Sequence, residues 1–245
     1  MPDRPSTEII LAALHKESRL GPHFRPEVVA FAPDGSLILQ GDVADVAQKK
    51  LALRLAAALP GVTGVVDRLR VTRGERVSDA GIRARLRRDF SAEPAFAGFA
   101  LREAERPTTP PEFVQVAGDP ATARGRIDVE VRDGVVILNG EVPGLVSKRL
   151  AGALAWWAPG VRDVVNGLEP VPPEEDAPIR IEEAVRAVLD RDPMIDAAQL
   201  RVGVRHTTVR LTGLLRNAAH RRIAVADAWS VLGVDEVIDE IQTAP

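Results

Sequence analysis

No cysteine and no tyrosine occur in this 245-residue sequence, and aromatic residues make up only 4% of it. The first absence excludes disulfides, thiolate catalysis and cysteine-ligated metals. The second removes phenolic acids from any catalytic proposal. No apolar run reaches the roughly 20 residues that a membrane-spanning helix requires. The one short run, Ile9 to Leu14, is flanked by Asp3, Arg4, Glu8, Lys16 and Glu17, which excludes a secretory core there. Neither sign of charge dominates: 32 basic against 35 acidic residues give a net charge of −3, so a nucleic-acid backbone is not the expected partner. HExxH, GxSxG, Walker and GxGxxG patterns are all missing, and His15, His23, His206 and His220 are scattered without metal-ligand spacing. These absences set the expectation of a cytoplasmic protein, not an enzyme, with no catalytic residue, metal or cofactor.

What the sequence does contain is an internal repeat. The segments Leu37 to Leu69, Val136 to Leu168 and Val209 to Ile241 align without gaps, and each carries two glycines 20 residues apart: Gly41 and Gly61, Gly140 and Gly160, Gly213 and Gly233. In each copy a strand-like run closes on the first glycine. Asp45, Gly144 or Asn217 then occupies a helix N-cap position. Apolar residues follow at helical spacing: Ala47, Leu51 and Leu55; Val146, Leu150 and Leu154; Ala219 and Ile223. Asp227 breaks the third series, and because an unpaired buried carboxylate is costly the expectation is a helix rotated slightly in its seat.

Beyond the second glycine each copy has an alternating strand (Val65, Leu69 and Val71; Val164 and Leu168; Val237 and Ile241). The alternation implies a sheet covered on one face. A hairpin precedes the first glycine, with Asp34-Gly35 and Asp133-Gly134 as turn residues in copies one and two. Copy three has His206-Thr207 there and must turn differently. An opening helix is marked by the pairs Ile10 and Leu14, Ile82 and Leu86, Val185 and Leu189. The fold class is therefore α+β: three tandem αββαβ modules, each a two-layer sandwich with a right-handed crossover. The modules are placed at 6–72, 78–169 and 178–243, the second carrying an insertion at about 91–125.

The runs DGVVILNGEV (Asp133 to Val142), PDGSLILQGDV (Pro33 to Val43), PGVRDVVNGL (Pro159 to Leu168) and PGVTGVVDRL (Pro60 to Leu69) resemble the BON domain. That module is named for bacterial osmotically inducible and nodulation proteins. VRLTGLL (Val209 to Leu215) and GVDEVIDEI (Gly233 to Ile241) carry a weaker resemblance. It implies a non-catalytic module associated with phospholipid binding in osmotic stress, with potassium sensing in one cytoplasmic member. The expected function is a binding or scaffold protein that docks on anionic phospholipid or an envelope or stress-response partner. A potassium sensor and a purely structural self-associating protein are the alternatives, and oligomerisation is compatible with all three.

Candidate binding residues come from the repeat. A basic pair recurs eight and nine residues after the glycine: Lys49 and Lys50, Lys148 and Arg149, Arg221 and Arg222. At 100° per residue it faces away from the apolar stripe, as a solvated helix face or as a contact for anionic lipid. Trp156 and Trp229 share one repeat position and are candidates for packing between modules or for an interface. The helix Ile82 to Phe90 carries Arg83, Arg85, Arg87 and Arg88; it could lie on a membrane or be neutralised by Asp79, Asp89 and Glu93. The interval from Leu86 to Gly140 is 54 residues against 27 from Leu14 to Gly41, which locates the insertion between Phe90 and Arg126. It holds Phe96, Phe99 and Phe113 and the breaker-rich PTTPPE (Pro107 to Glu112). An extended flap packed on copy two, or an anchor for a partner or membrane, are the two readings. Copies one and two are joined near Arg73 to Val77, and copies two and three by EPVPPEEDAP (Glu169 to Pro178), a stiff acidic spacer.

Overall fold

The structure is a computed structural model describing residues 4–72, 76–106 and 108–244. Most of the first inter-copy joint, Arg73 to Glu75, and Pro107 of the PTTPPE run lie outside the described residues. The chain divides into two compact units, Met1–Thr72 and Arg73–Pro245. The first holds one repeat and the second holds two.

In the first unit, α1 (Thr7–Lys16) is capped by Ser6 and buries Ile10 and Leu14. The hairpin of β1 (Val28–Phe31) and β2 (Leu37–Val43) is followed by α2 (Val46–Ala57) and β3 (Val65–Val71). β1 pairs antiparallel and β3 parallel with β2. Leu37, Leu39, Leu69 and Val71 face the helices and are fully or nearly fully buried.

The second unit begins with α3 (Asp79–Ala92), followed by β4 (Phe99–Ala104), β5 (Phe113–Ala117), β6 (Gly125–Arg132), β7 (Val135–Val142), α4 (Leu145–Trp157), β8 (Asp163–Asn166) and β9 (Glu169–Pro170). These strands form one sheet in the order β5-β4-β6-β7-β8, with β9 continuing along β7. The last repeat consists of α5 (Pro178–Leu189), β10 (Leu200–Arg205), β11 (Thr208–Leu215), α6 (Ala218–Ser230) and β12 (Glu236–Thr243), in the sheet order β10-β11-β12. All three repeats therefore show the αββαβ order, and each crossover strand is parallel to the second strand of its hairpin.

The first glycines do not end their strands. β2, β7 and β11 each run two residues further, and the glycine sits inside them with φ of +150°, +119° and +136°. The reason is a close crossing by the neighbouring strand. A Cβ on Gly140 would lie 2.2 Å from the Arg126 carbonyl oxygen, and one on Gly213 would lie 2.0 Å from that of Gln199. Only glycine tolerates both the conformation and the approach. The hairpin of copy three does turn in its own way. Asp133 and Gly134 both take positive φ, as a type I′ turn requires, whereas in the third copy His206 (φ +55°) does so without a glycine after it.

The insertion is not a flap. Phe99–Ala104 runs parallel to β6, and Phe113–Ala117 returns antiparallel, adding two strands to the sheet. Phe96 and Phe99 are both 5% exposed; the Phe96 ring packs on Phe90 at a centroid distance of 5.4 Å and on Phe99 at 5.5 Å. They extend the core and are not surface anchors: Phe99 opens β4, which lies between β5 and β6, and buries its inward side chain with Phe96 from the turn just before it.

In the second unit the helices of the two repeats pack on each other: α4 meets α5 and α6, and α5 meets α6. α4 is buried on nearly every side, from Arg149 through Trp156. Ala151, Gly152, Ala153 and Ala155 keep it slim enough to sit between its own sheet and the next repeat's helices. The acidic stretch between these repeats is no spacer. Glu169–Pro170 extends the sheet along β7, and Glu174 Oε2 accepts from the Leu145 amide at 2.7 Å, capping α4 where Gly144 has no side chain to do so.

Candidate functional site

The repeated basic pair was expected on the surface, and the structure places much of it inside. Lys49 is 5% exposed: its ammonium donates to the Leu69 carbonyl at 2.7 Å and pairs with Asp67 at 2.7 Å. Arg149 is 2% exposed, donating through Nε to the Leu232 carbonyl at 2.8 Å and through Nη2 to Asp176 at 2.7 Å. Arg221 pairs with Asp239 at 2.7 Å. Lys50, Lys148 and Arg221 are half-buried and Arg222 is exposed.

The physical reason is a device shared by the repeats. Asp67, Asn166 and Asp239 stand at one repeat position on the third strand, on the helix-bearing side of the sheet. Each side chain accepts from the amide two residues on, that of Leu69 at 2.9 Å, Leu168 at 3.3 Å and Ile241 at 3.1 Å. Each also ties down the helix above it. Asp67 and Asp239 hold the first cation of the pair, and Asn166 donates to the Lys148 carbonyl at 2.7 Å. The signal was available in the sequence, since the acidic or amide residue recurs 18 positions after the cation in every copy.

Between the repeats of the second unit lies a polar cluster that periodicity did not reveal. Asp227 is 4% exposed, so α6 is not rotated to release it. Its Oδ1 accepts from Trp157 Nε1 of the preceding repeat at 2.9 Å, while Oδ2 is buried without a hydrogen-bond donor. Burial, reinforced by the nearby Asp192 carboxylate, pushes the Asp227 pKa up to about 8. Arg191 donates to Glu93 at 2.9 Å across the same junction. Trp156 and Trp229, each 7% exposed, lie on α4 and α6. Three of the four arginines of α3 are matched by carboxylates: Arg85 and Arg88 by Asp89, and Arg87 by the fully buried Glu103 at 3.0 Å. Asp79 instead accepts from the Asp133 and Gly134 amides, both at 2.9 Å, and holds the hairpin turn.

With the helix layers of the second unit facing each other, the surfaces presented outward are the other faces of the two sheets. On the last repeat that face carries the exposed Arg201, Arg205 and Arg210, the last paired with Glu240 at 2.6 Å. On the preceding repeat Arg102 grips Asp128 through two bonds of 2.6 Å, and Arg126 Nε reaches the same carboxylate at 3.2 Å. Arg132 pairs with Glu130 and donates to the Thr108 carbonyl at 2.9 Å. Phe113, the third insertion phenylalanine, lies half-buried with its ring 5.4 Å from the Arg102 guanidinium. Beside Arg102 and Arg126 is a groove of about 360 Å³, lined also by Gln115, Arg124, Glu141, Val142 and Val171. Among the described residues no group of three or more histidine or acidic side chains is placed to hold a metal ion. No described helix is long and apolar enough to cross a membrane.

Comparison with known proteins gives a family. The model for the BON domain matches at residues 3–73, 115–172 and 180–245. A search of curated proteins finds no match. Among solved structures, the C-terminal domain of CdsD, the structural protein of the type III secretion system of Chlamydia trachomatis, aligns at 16% identity and a TM-score of 0.25. That alignment covers 98% of this chain and 100% of that one. A second CdsD structure aligns at 17% identity and 0.25, covering 96% and 92%.

Proposed function

Because this chain belongs to the BON-domain family, with the family's module present three times, we propose that it is a non-catalytic scaffold that docks on anionic phospholipid surfaces. The observation supporting this most directly is the outward sheet face of the third module. Arg201, Arg205 and Arg210 project there from adjacent strands, while the helices are occupied in packing against the second module. At about 1 kcal/mol per basic residue near an anionic leaflet, Arg201 and Arg205 supply about 2 kcal/mol, or roughly thirtyfold in affinity, the charge of Arg210 being offset by Glu240. The two sheets of this unit face away from each other, so one can meet a membrane while the other meets a protein. That arrangement is the scaffold part of the reading. Of the six repeated basic residues, Lys50, Lys148, Arg221 and Arg222 reach the surface and are the secondary lipid contacts.

Co-sedimentation with phosphatidylglycerol vesicles tests this. Binding is expected at low ionic strength, weakening as salt shortens the Debye length, and absent with phosphatidylcholine. Replacing Arg201, Arg205 and Arg210 by glutamine is expected to abolish most of it, with a smaller loss from the quadruple glutamine variant of Lys50, Lys148, Arg221 and Arg222. No binding by the unaltered chain at low salt would refute the lipid reading.

A further inference from the structure

We propose that the groove built by the insertion in the second module is a binding site for a phosphate oxyanion carrying a short organic stem. This inference rests on the anionic-ligand reading above but names a separate site. It depends on four observations.

The first is that the groove exists only because of the insertion. β4 and β5 bring Ala100, Arg102 and Gln115, and the loop after them brings Pro120, Ala123 and Arg124, to face the glycine-crossed end of the β6–β7 hairpin. At about 360 Å³ it lies in the range of small-molecule sites.

The second is charge. Three guanidinium groups, Arg102, Arg124 and Arg126, line the groove against a single carboxylate, Glu141. Asp128 beneath them, bonded to Arg102 and Arg126, offsets a second positive charge, so three guanidinium groups against two carboxylates leave the groove with a net charge of +1.

The third is unfilled hydrogen-bonding capacity. Arg126 makes one hydrogen bond among the described residues, through Nε, and its Nη2 stands 3.8 Å from Glu141, beyond bonding distance. Its two terminal nitrogens therefore present donors to the groove in the geometry that suits a phosphate or carboxylate edge. Arg124, by contrast, is fixed by the Ala97 and Ala95 carbonyls at 2.8 and 3.1 Å and by the Phe99 ring, so it acts as a rigid wall with a charge. Arg102 is likewise preorganised by its two bonds to Asp128, which hold its pKa above the ordinary value.

The fourth is the apolar side. Val142 and the half-exposed Val171 close the far wall, which fits an organic stem better than a bare inorganic ion.

The matching position in the other modules is not basic. Where the second module has Arg126, fourteen residues before its first glycine, the first has Glu27 and the third has Gln199. The site thus belongs to one module and not to the repeat.

The oxyanion could come from a lipid headgroup or from a soluble phosphate ester, and the experiment separates them. Calorimetric titration of the full chain with glycerol 3-phosphate and with inorganic phosphate is run beside vesicle sedimentation with phosphatidylglycerol. Two variants of the full chain carry the decision, Arg126→Gln and Glu141→Gln. The two side chains are 41% and 56% exposed, and Arg102 keeps Asp128 paired, so both variants are expected to fold with melting temperatures close to the parent. Binding is expected to weaken about tenfold in Arg126→Gln and to tighten about threefold in Glu141→Gln, with glycerol 3-phosphate bound more tightly than inorganic phosphate. Opposite shifts from the two variants are what a site predicts and a merely structural role does not. Shifts seen with glycerol 3-phosphate support a soluble ligand, and shifts seen only with vesicles support a headgroup. Vesicle binding that neither variant alters, with no glycerol 3-phosphate binding, would overturn the groove while leaving lipid docking intact. Groove binding of glycerol 3-phosphate without vesicle binding would do the reverse. Equal shifts of the same sign in both variants would also overturn it.

Discussion

Replacing Asp227 by asparagine is expected to stabilise the second unit and to remove much of the pH dependence of its unfolding. The carboxyl is buried between the second and third modules, with one oxygen on Trp157 Nε1 and the other without a donor. Its pKa rises from 3.8 to about 8, first through burial and then through Asp192. Below pH 3.8 the group is protonated in both folded and unfolded chains and stability is unaffected. As pH rises toward about 8 the unfolded chain ionises while the folded one holds its proton, so stability falls by about 1.4 kcal/mol per pH unit. By pH 7 the loss is on the order of 4 kcal/mol, and above the folded pKa it levels off. Asparagine is neutral throughout, keeps the acceptor for Trp157, and offers Asp192 an amide donor. Urea unfolding followed by tryptophan fluorescence suits the measurement, because all three tryptophans lie on α4 and α6 and Trp157 touches the substituted side chain. The difference between variant and parent should be near zero at pH 4 and grow in favour of the variant to pH 8. Parallel stability curves across that range, or a variant less stable than the parent at pH 8, would refute the reasoning.

Three further outcomes follow from the same contacts. Arg149→Ala should cost about 3 kcal/mol in urea unfolding, because it removes a side chain only 2% exposed together with its bonds to the Leu232 carbonyl and Asp176. Gly213→Ala should cost at least about 2 kcal/mol, from the disfavoured φ and the collision with the Gln199 carbonyl, and should appear first as faster amide exchange in β10 and β11. Glu174→Ala should lower stability by about 1 kcal/mol through loss of the α4 cap, whereas Glu175→Ala, one residue on, should leave the melting temperature within a degree.

Some of the architecture follows from local sequence alone. The 20-residue glycine spacing, the 3.6-residue apolar period and the Asp-Gly turns depend only on neighbours along the chain, and they specify three αββαβ modules before any contact between distant residues is known. Even the glycine positions were legible, although the strands proved to run through them: a periodicity marks where glycine is needed, and only the crossing carbonyl of Arg126 or Gln199 shows why. The binding residues were harder to read. A helical wheel assigns one buried face, which holds when a single sheet covers the helix. α4 has a sheet on one side and α5 and α6 on the other, so Arg149 is enclosed at an angle that the wheel assigns to solvent. Lys49 is drawn in by a carboxylate on a strand that follows it by 18 residues, and Asp227 by a tryptophan 70 residues earlier. The insertion shows the same division. Its phenylalanines were compatible with a packed segment or an anchor, but that it forms two strands, and that Arg102, Arg124 and Arg126 gather around one groove, was decided by pairing with β6. Secondary structure is set by what a residue is and by its near neighbours; burial and charge pairing are set by what the fold brings to lie over it.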